Sequence, residues 1–223
     1  SKDYSEIKNK FRPGHADITY FQKYGMRDYR GGGRSSARET ASRVAAGAVA
    51  RKVISHLSKK KILIQGAVTQ IGKMSINPRH FKWNEVRKNS FFCPDKKIIS
   101  TWEEYLDVTR KNGTSLGARI LVNVKNVPSG LGEPIYGKLD AELASAMMSI
   151  NAIKGVEIGL GNESVEITGD ENSDEIQANG KKISFSSNNS GGILGGISSG
   201  QDINISIAAV SYTHLRAHET RED

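Results

Sequence analysis

Cysteine is almost missing from this sequence: Cys93 is the only one in 223 residues, which rules out an internal disulfide and a cysteine-thiolate metal cluster. Long apolar runs are missing too. No stretch approaches the roughly 18 consecutive apolar residues of a membrane helix, and Ser1-Lys2-Asp3-Tyr4 lacks the apolar region of a signal peptide. The expectation is a soluble, cytoplasmic protein with no membrane partner. Acidic residues are scarce only locally. Residues 1–61 carry fifteen Lys/Arg against five Asp/Glu, a balance of +10 within a total of +8, so the remainder of the chain sums to −2. A basic cluster of this kind suits an anionic ligand, a basic surface or an RNA-binding arm.

What is present supports a core, at 37% hydrophobic residues. Residues 1–33 have two turn signals, Pro13-Gly14 and Gly31-Gly32-Gly33, and no sustained period, so they read as loops around short strands. From Ser36 the spacing of Ala41, Val44, Ala45, Ala48, Val49, Val53, Ile54 and Leu57 predicts a helix ending near Ser58. Ile62 to Val68 reads as a strand and Ser75 to Pro94 as irregular. Ser100 and Glu103 have capping-box spacing ahead of a helix that runs to about Lys111. Ala118 to Val127 and Ile203 to Ala208 alternate as strands, and Leu139 to Ile150 returns to helical spacing. Two further strands are expected at Val156–Ile158 and Ser164–Thr168, then an exposed loop from Asp170 to Gly180. Helices and strands interleave without a βαβ beat, which favours an α+β fold.

The segment Arg30-Gly31-Gly32-Gly33-Arg34-Ser35-Ser36-Ala37-Arg38-Glu39 sets a glycine loop against the strongest helix. Ser36 and Glu39 have capping-box spacing, so unpaired N–H groups and the positive end of the helix dipole point into the loop. Such a helix start binds anions, and three arginines add bidentate donors. An ordinary capped turn with solvated arginines is the plainer alternative. Arg12-Pro13-Gly14-His15 places a potential acid or base beside a rigid turn. Gly191 to Gly196 permits either close ligand approach or tight backbone packing. Gly159-Leu160-Gly161 lacks the third glycine of a dinucleotide fingerprint, and Cys93 has no neighbour that would activate it. His214 and His218 are four apart but have no third ligand, so no metal is expected.

Arg12 to Asp17, Lys23 to Gly25, Asp28 to Thr40 and Arg43 to Ala48 resemble the signatures of the chorismate synthase family in order and spacing. Further matching stretches are Phe91 to Asp95, Pro128 to Pro134, Ile150 to Gly159 and Gly191 to Ser198, so the resemblance covers about residues 1–209. It implies a layered β-α-β sandwich of the α+β class, assembled as a homotetramer. It also implies a lyase that removes phosphate from 5-enolpyruvylshikimate 3-phosphate by anti 1,4-elimination, with reduced FMN as cofactor and a link to NADP. The partner would be an anionic small molecule rather than nucleic acid. By position, Arg34, Ser35, Ser36, Asn151, Ala152 and Gly195 resemble flavin contacts. Arg12, Ala37 and Arg38 would lie toward the substrate, and His15 resembles the histidine that protonates the reduced cofactor.

The chain departs from the family in lacking a Gly-Glu-Ser-His-Gly motif, a Lys-Pro-Thr-Ser loop and an Arg-x-Asp-Pro-Cys segment. The resemblance therefore implies the central part of one domain, truncated at both ends, with little or no activity by itself. Residues 210–223, including Ser211-Tyr212-Thr213-His214-Leu215-Arg216, match nothing in the family and are expected to be a disordered, artefactual tail. A basic RNA-binding module built on Arg30–Arg38 is the competing reading.

Overall fold

The computed structural model describes residues 10–29, 39–180 and 182–210. The long strand patterns meet in one antiparallel sheet of five strands: β1 (Leu63–Ile71), β2 (Met74–Ser75), β3 (Ala118–Lys125), β4 (Ile153–Ile158) and a C-terminal strand (Ile203–Ala209). Their order is β2-β1-β3, then the C-terminal strand, then β4. Register sets the faces. Val122 lies opposite Gly66 and Ile205, and Ile120 opposite Val68 and Ile207, so these residues share one face. Asn123, between them in sequence, lies opposite Gln65 and Asn204 on the other face and donates to Asn204 Oδ1 at 2.8 Å.

Two helices cover the apolar face. Leu139, Leu143 and Met147 of α4 (Leu139–Met148) pack on the buried Ile203, Ile205, Ile207 and Ile153. Leu106 of α3 (Ile99–Lys111) and its fully buried Trp102 pack with Ile71 and Cys93 beside the β1–β2 turn. The fold class is α+β with antiparallel sheets, as the sequence pattern and the family resemblance both imply.

Several local expectations are corrected. The described part of residues 10–29 contains no strand but a helix, α1 (Asp17–Tyr24). Ser100 does not cap α3: Ile98 stands at its N-cap with no side-chain hydrogen bond, and Asp95 caps the 3₁₀ turn before it. The Asp95 carboxylate accepts from Lys97 N at 2.9 Å, so the chain turns through Lys96–Ile98 before Ser100 is reached. Ser164–Thr168 is not a strand. Gly159 and Gly161, both at positive φ, fold the chain into a 3₁₀ turn (Gly161–Val165), and Thr168 with Glu171 forms a capping box for the short helix α5 (Gly169–Asn172). The expected loop to Gly180 instead contains α5 and the strand β5 (Ile176–Asn179). It pairs with β6 (Lys182–Phe185) in a hairpin whose Ile176 and Ile183 are exposed. Two-residue strands β7 (Ile193–Leu194) and β8 (Ile197–Ser198) form a second hairpin, and the C-terminal strand is β9.

The long helix predicted from Ser36 is present as α2 (Glu39–Leu57). None of its residues is buried, and Val44, Val49, Val53 and Leu57 are exposed. Arg51 ties it to the sheet by donating to Ile64 O at 2.9 Å.

Candidate active site

The Arg12–His15 turn closes through His15 N to Arg12 O at 3.2 Å, with Gly14 at φ 69, and delivers the chain into α1 at Asp17. A positive φ is readily adopted by glycine, which has no Cβ. The turn folds back so that Asp17, 4% exposed, receives Arg12 Nε at 2.8 Å and backbone N at 3.2 Å on Oδ2, and Nη2 at 3.0 Å on Oδ1. His15 Nδ1 stands 3.0 Å from the same Oδ1 and 3.2 Å from Arg12 Nη2. Arg27 Nη1 approaches Oδ2 at 3.3 Å, while its guanidinium donates to Lys10 O and lies over the Phe11 ring. One buried carboxylate thus gathers two arginines and a histidine.

Burial pushes the Asp17 carboxyl up, but the hydrogen bonds from Arg12 and the charges of Arg12 and His15 outweigh it and lower the group to about 2. A depressed folded value contributes stability that is fully present above the unfolded value of about 3.9 and is lost as pH falls through the folded one. The shift corresponds to about 2 kcal/mol. In urea unfolding from pH 5 down to pH 2, the wild-type chain is therefore expected to lose about that much more stability than Asp17→Asn. Parallel losses would contradict this account.

The positions expected at a flavin fall into separate places. Ala152, at φ 77, sits in the left-handed turn after α4, and its carbonyl accepts from Val210 N at 2.8 Å. Asn151 precedes it in the same turn. Arg43, one turn into α2, donates to Ser149 Oγ at 3.0 Å and Ser149 O at 2.9 Å. The N-terminal turn of α2 is therefore fastened beside Asn151 and Ala152. Gly195 lies at the other end of α4, in the β7–β8 turn, where Gly196 O accepts from Leu139 N at 2.8 Å. Ten residues of helix separate the two places by about 15 Å.

The glycines of the 191–196 stretch differ in what surrounds them. A Cβ on Gly192 would meet Asp202 O at 2.5 Å, and one on Gly196 would meet Lys138 Cγ at 2.6 Å, so these glycines permit packing. At Gly195 a Cβ would meet nothing within 4 Å. Arg34, Ser35, Ser36, Ala37 and Arg38 lie outside the described residues, as do the Ser36 cap and the whole Arg30–Arg38 stretch of the expected RNA module. So do residues 211–223 of the expected tail. A cleft of about 530 Å³ lined by Arg51, Gln65, Trp83, Arg87 and Phe92 includes none of the expected site residues. Cys93 is inert as expected: it is fully buried, donates to Asp95 O at 3.3 Å, and burial pushes its thiol up.

The family model described as chorismate synthase matches residues 1–220. The chorismate synthase of Pelagibacter ubique is 61% identical over 210 residues, covering 93% of this chain and 58% of that protein. That of Hyphomonas neptunium is 58% identical over 208 residues, covering 93% and 56%. This chain belongs to the chorismate synthase family. A crystal structure of a chorismate synthase superimposes with a TM-score of 0.78 at 36% identity, over 87% of this chain and 62% of that one. The chain spans somewhat over half the length of these curated chorismate synthases.

Two arrangements within this family member were not read from its sequence. Asp17 stands inside the quoted motif, but an acidic residue in a helix's first turn has an ordinary explanation in the dipole. Its spacing of five from Arg12 and two from His15 becomes meaningful only once the Pro13-Gly14 turn is known. Arg43 stands in a quoted signature too, but nothing in the sequence links it to Ser149, 106 residues away.

Proposed function

We propose that this chain contributes to a chorismate synthase site that eliminates phosphate from 5-enolpyruvylshikimate 3-phosphate with reduced FMN. The observation that carries the proposal is the Arg12–His15–Asp17 cluster, in which a histidine and an arginine are held rigidly together in a chain of this family. A substrate with one phosphate and two carboxylates needs fixed positive charge, and Arg12 supplies it in an orientation set by Asp17. His15 is the proton donor, acting through Nε2, the ring atom that faces away from the Asp17 contact.

The residues present fit a flavin. Gly195 leaves open backbone between tightly packed glycines, which lets a planar ring approach closely. Asn151 and Ala152, beside the start of α2, would hold the polar end, together with Arg34, Ser35 and Ser36. Reduced FMN would supply the electron-rich ring that assists loss of phosphate without net oxidation. Ala37 and Arg38 would complete the substrate side. The working protein is a cytoplasmic homotetramer in this reading.

Anaerobic assay with reduced FMN tests it. The 223-residue chain alone is expected to form no chorismate above background, because it carries no Gly-Glu-Ser-His-Gly histidine. Residues 1–209 placed within a chain of its relatives' full length are expected to turn over, and His15→Ala in that chain to slow the reaction. Turnover by the longer chain that is indifferent to His15 would overturn the assignment, whereas full activity of the shorter one would overturn only the need for the Gly-Glu-Ser-His-Gly histidine.

A further inference from the structure

The cluster contains a conflict over one hydrogen. Arg12 Nη2 lies 3.0 Å from Asp17 Oδ1 and 3.2 Å from His15 Nδ1, while His15 Nδ1 is itself 3.0 Å from Oδ1. These three atoms form a triangle, and two of its corners are nitrogens that can both carry hydrogen. When Nδ1 is bare, it accepts from Arg12 Nη2, and the neutral ring must hold its proton on Nε2. When Nδ1 is protonated, it can no longer accept from Arg12. It then has a carboxylate oxygen at hydrogen-bond distance, and Arg12 keeps its bond to that oxygen. The stronger arrangement is the charge-assisted one, in a site where the carboxylate is almost fully removed from water.

We infer that Asp17 is a positioning residue for His15: its carboxylate fixes the ring through Nδ1, stabilises the doubly protonated imidazole, and thereby makes Nε2 the atom that releases a proton. The proton balance is simple. Imidazolium gives up the Nε2 proton to an acceptor, and the neutral ring left behind keeps its hydrogen on Nδ1, still bonded to Asp17. Among the described residues, the charged groups shown facing the ring are Arg12 and Asp17, with Arg27 behind the carboxylate at 3.3 Å. Arg12 and Arg27 oppose a positive ring. The carboxylate at 3.0 Å offsets them locally, and it is positioned by Arg12 itself through two side-chain hydrogen bonds. This arrangement also explains why an aspartate is buried two residues from a histidine that must stay accessible.

The inference rests on His15 being the proton donor of the proposed site, but its test does not need turnover. In the full 223-residue chain labelled with ¹⁵N-histidine, the ring nitrogens report both titration and tautomer, with His15→Gln identifying the signal among the five histidines. Asp17→Asn preserves shape and removes the charge. It is expected to move the His15 midpoint down by about one pH unit, a tenfold loss of preference for the protonated ring, and to raise the share of the Nε2–H tautomer. An unmoved midpoint in a folded variant would overturn the inference. Should Asp17→Asn fail to fold, the wild-type chain decides: protonated His15 must show an Nδ1 hydrogen slow to exchange with water, and a rapidly exchanging one overturns the proposal. Absence of FMN-dependent lyase activity in the chain of its relatives' full length, alongside an intact Asp17–His15 coupling, would sink the functional reading and leave the coupling standing.

Discussion

Gly191→Ala is expected to destabilise the chain by more than about 3 kcal/mol, in the range reserved for severe core lesions, whereas Gly195→Ala, four residues on, should cost about 1–2 kcal/mol. Both glycines have positive φ, 66 and 59, so both variants incur the left-handed penalty. They differ in what surrounds the added methyl. At Gly191 it would meet the backbone of Gly159, with Gly159 Cα at 2.6 Å and Asn204 O at 3.1 Å. Neither neighbour is a side chain that can turn aside. Gly159 N is itself bonded to Asn204 O at 3.0 Å, and Leu160 N to Asn189 O at 2.9 Å, so relieving the clash breaks the seam between the β4 exit and the loop leading to β9. At Gly195 there is open space, and the β7–β8 turn absorbs only the backbone strain. Urea unfolding of both variants makes the comparison. Equal losses would mean that the 159–191 contact is not a fixed point of the fold. Under the proposed function, Gly195→Ala should still weaken FMN binding, because its methyl enters the space a ring would need.

The elements legible in the sequence share one property: their periodicity answers to burial against a single partner. β3 and β9 alternate because Ile120, Val122, Ile205 and Ile207 face α4, and α4 itself spaces Leu139, Leu143 and Met147 to meet them. The elements that were not legible lack that partner. The β5–β6 hairpin leaves Ile176 and Ile183 exposed, so its residues look like those of a loop. α1 is held by contacts within its own segment, such as Phe11 against Phe21 at 5.5 Å, and its turn signals outweighed a short helical pattern. α2 shows the converse, a helix unmistakable in sequence whose apolar residues Val44 and Leu57 are exposed.

The candidate site divides in the same way. Arg12 and His15 are chemically conspicuous, and a turn closed between residues three apart keeps them adjacent wherever the rest of the chain goes. Asp17 acquires its role only when that turn reverses direction. Gly195 could not be separated from Gly192 and Gly196 by sequence, since all three have positive φ and the difference lies in whether Asp202, Lys138 or open space stands opposite.

Trp102→Ala should be the most damaging single change in the second core, with an expected loss of about 3–5 kcal/mol. Trp102 is fully buried, sits edge-on to Phe91 with ring centroids 6.1 Å apart, and packs with Ile71 and Cys93. Its Nε1 donates to Met74 O at 3.2 Å, fastening α3 to the short β2 strand. Removing the indole leaves a cavity lined by groups held from several directions. Cys93 is fixed by Asn89 Oδ1 accepting from its N at 3.0 Å and by its own bond to Asp95 O, so the wall on that side cannot collapse inward. Trp102→Phe separates the two contributions. It retains most of the ring volume but strands Met74 O, so its loss should be about 1–3 kcal/mol, the cost of one unsatisfied buried group plus a small void. Thermal or urea unfolding of the two variants gives the ratio, and near-equal losses would place the energy in the indole hydrogen bond rather than in packing. Since α3 covers the β1–β2 end of the sheet and α4 the β9–β4 end, both variants should leave Ile203, Ile205 and Ile207 protected from hydrogen exchange longer than Ile71.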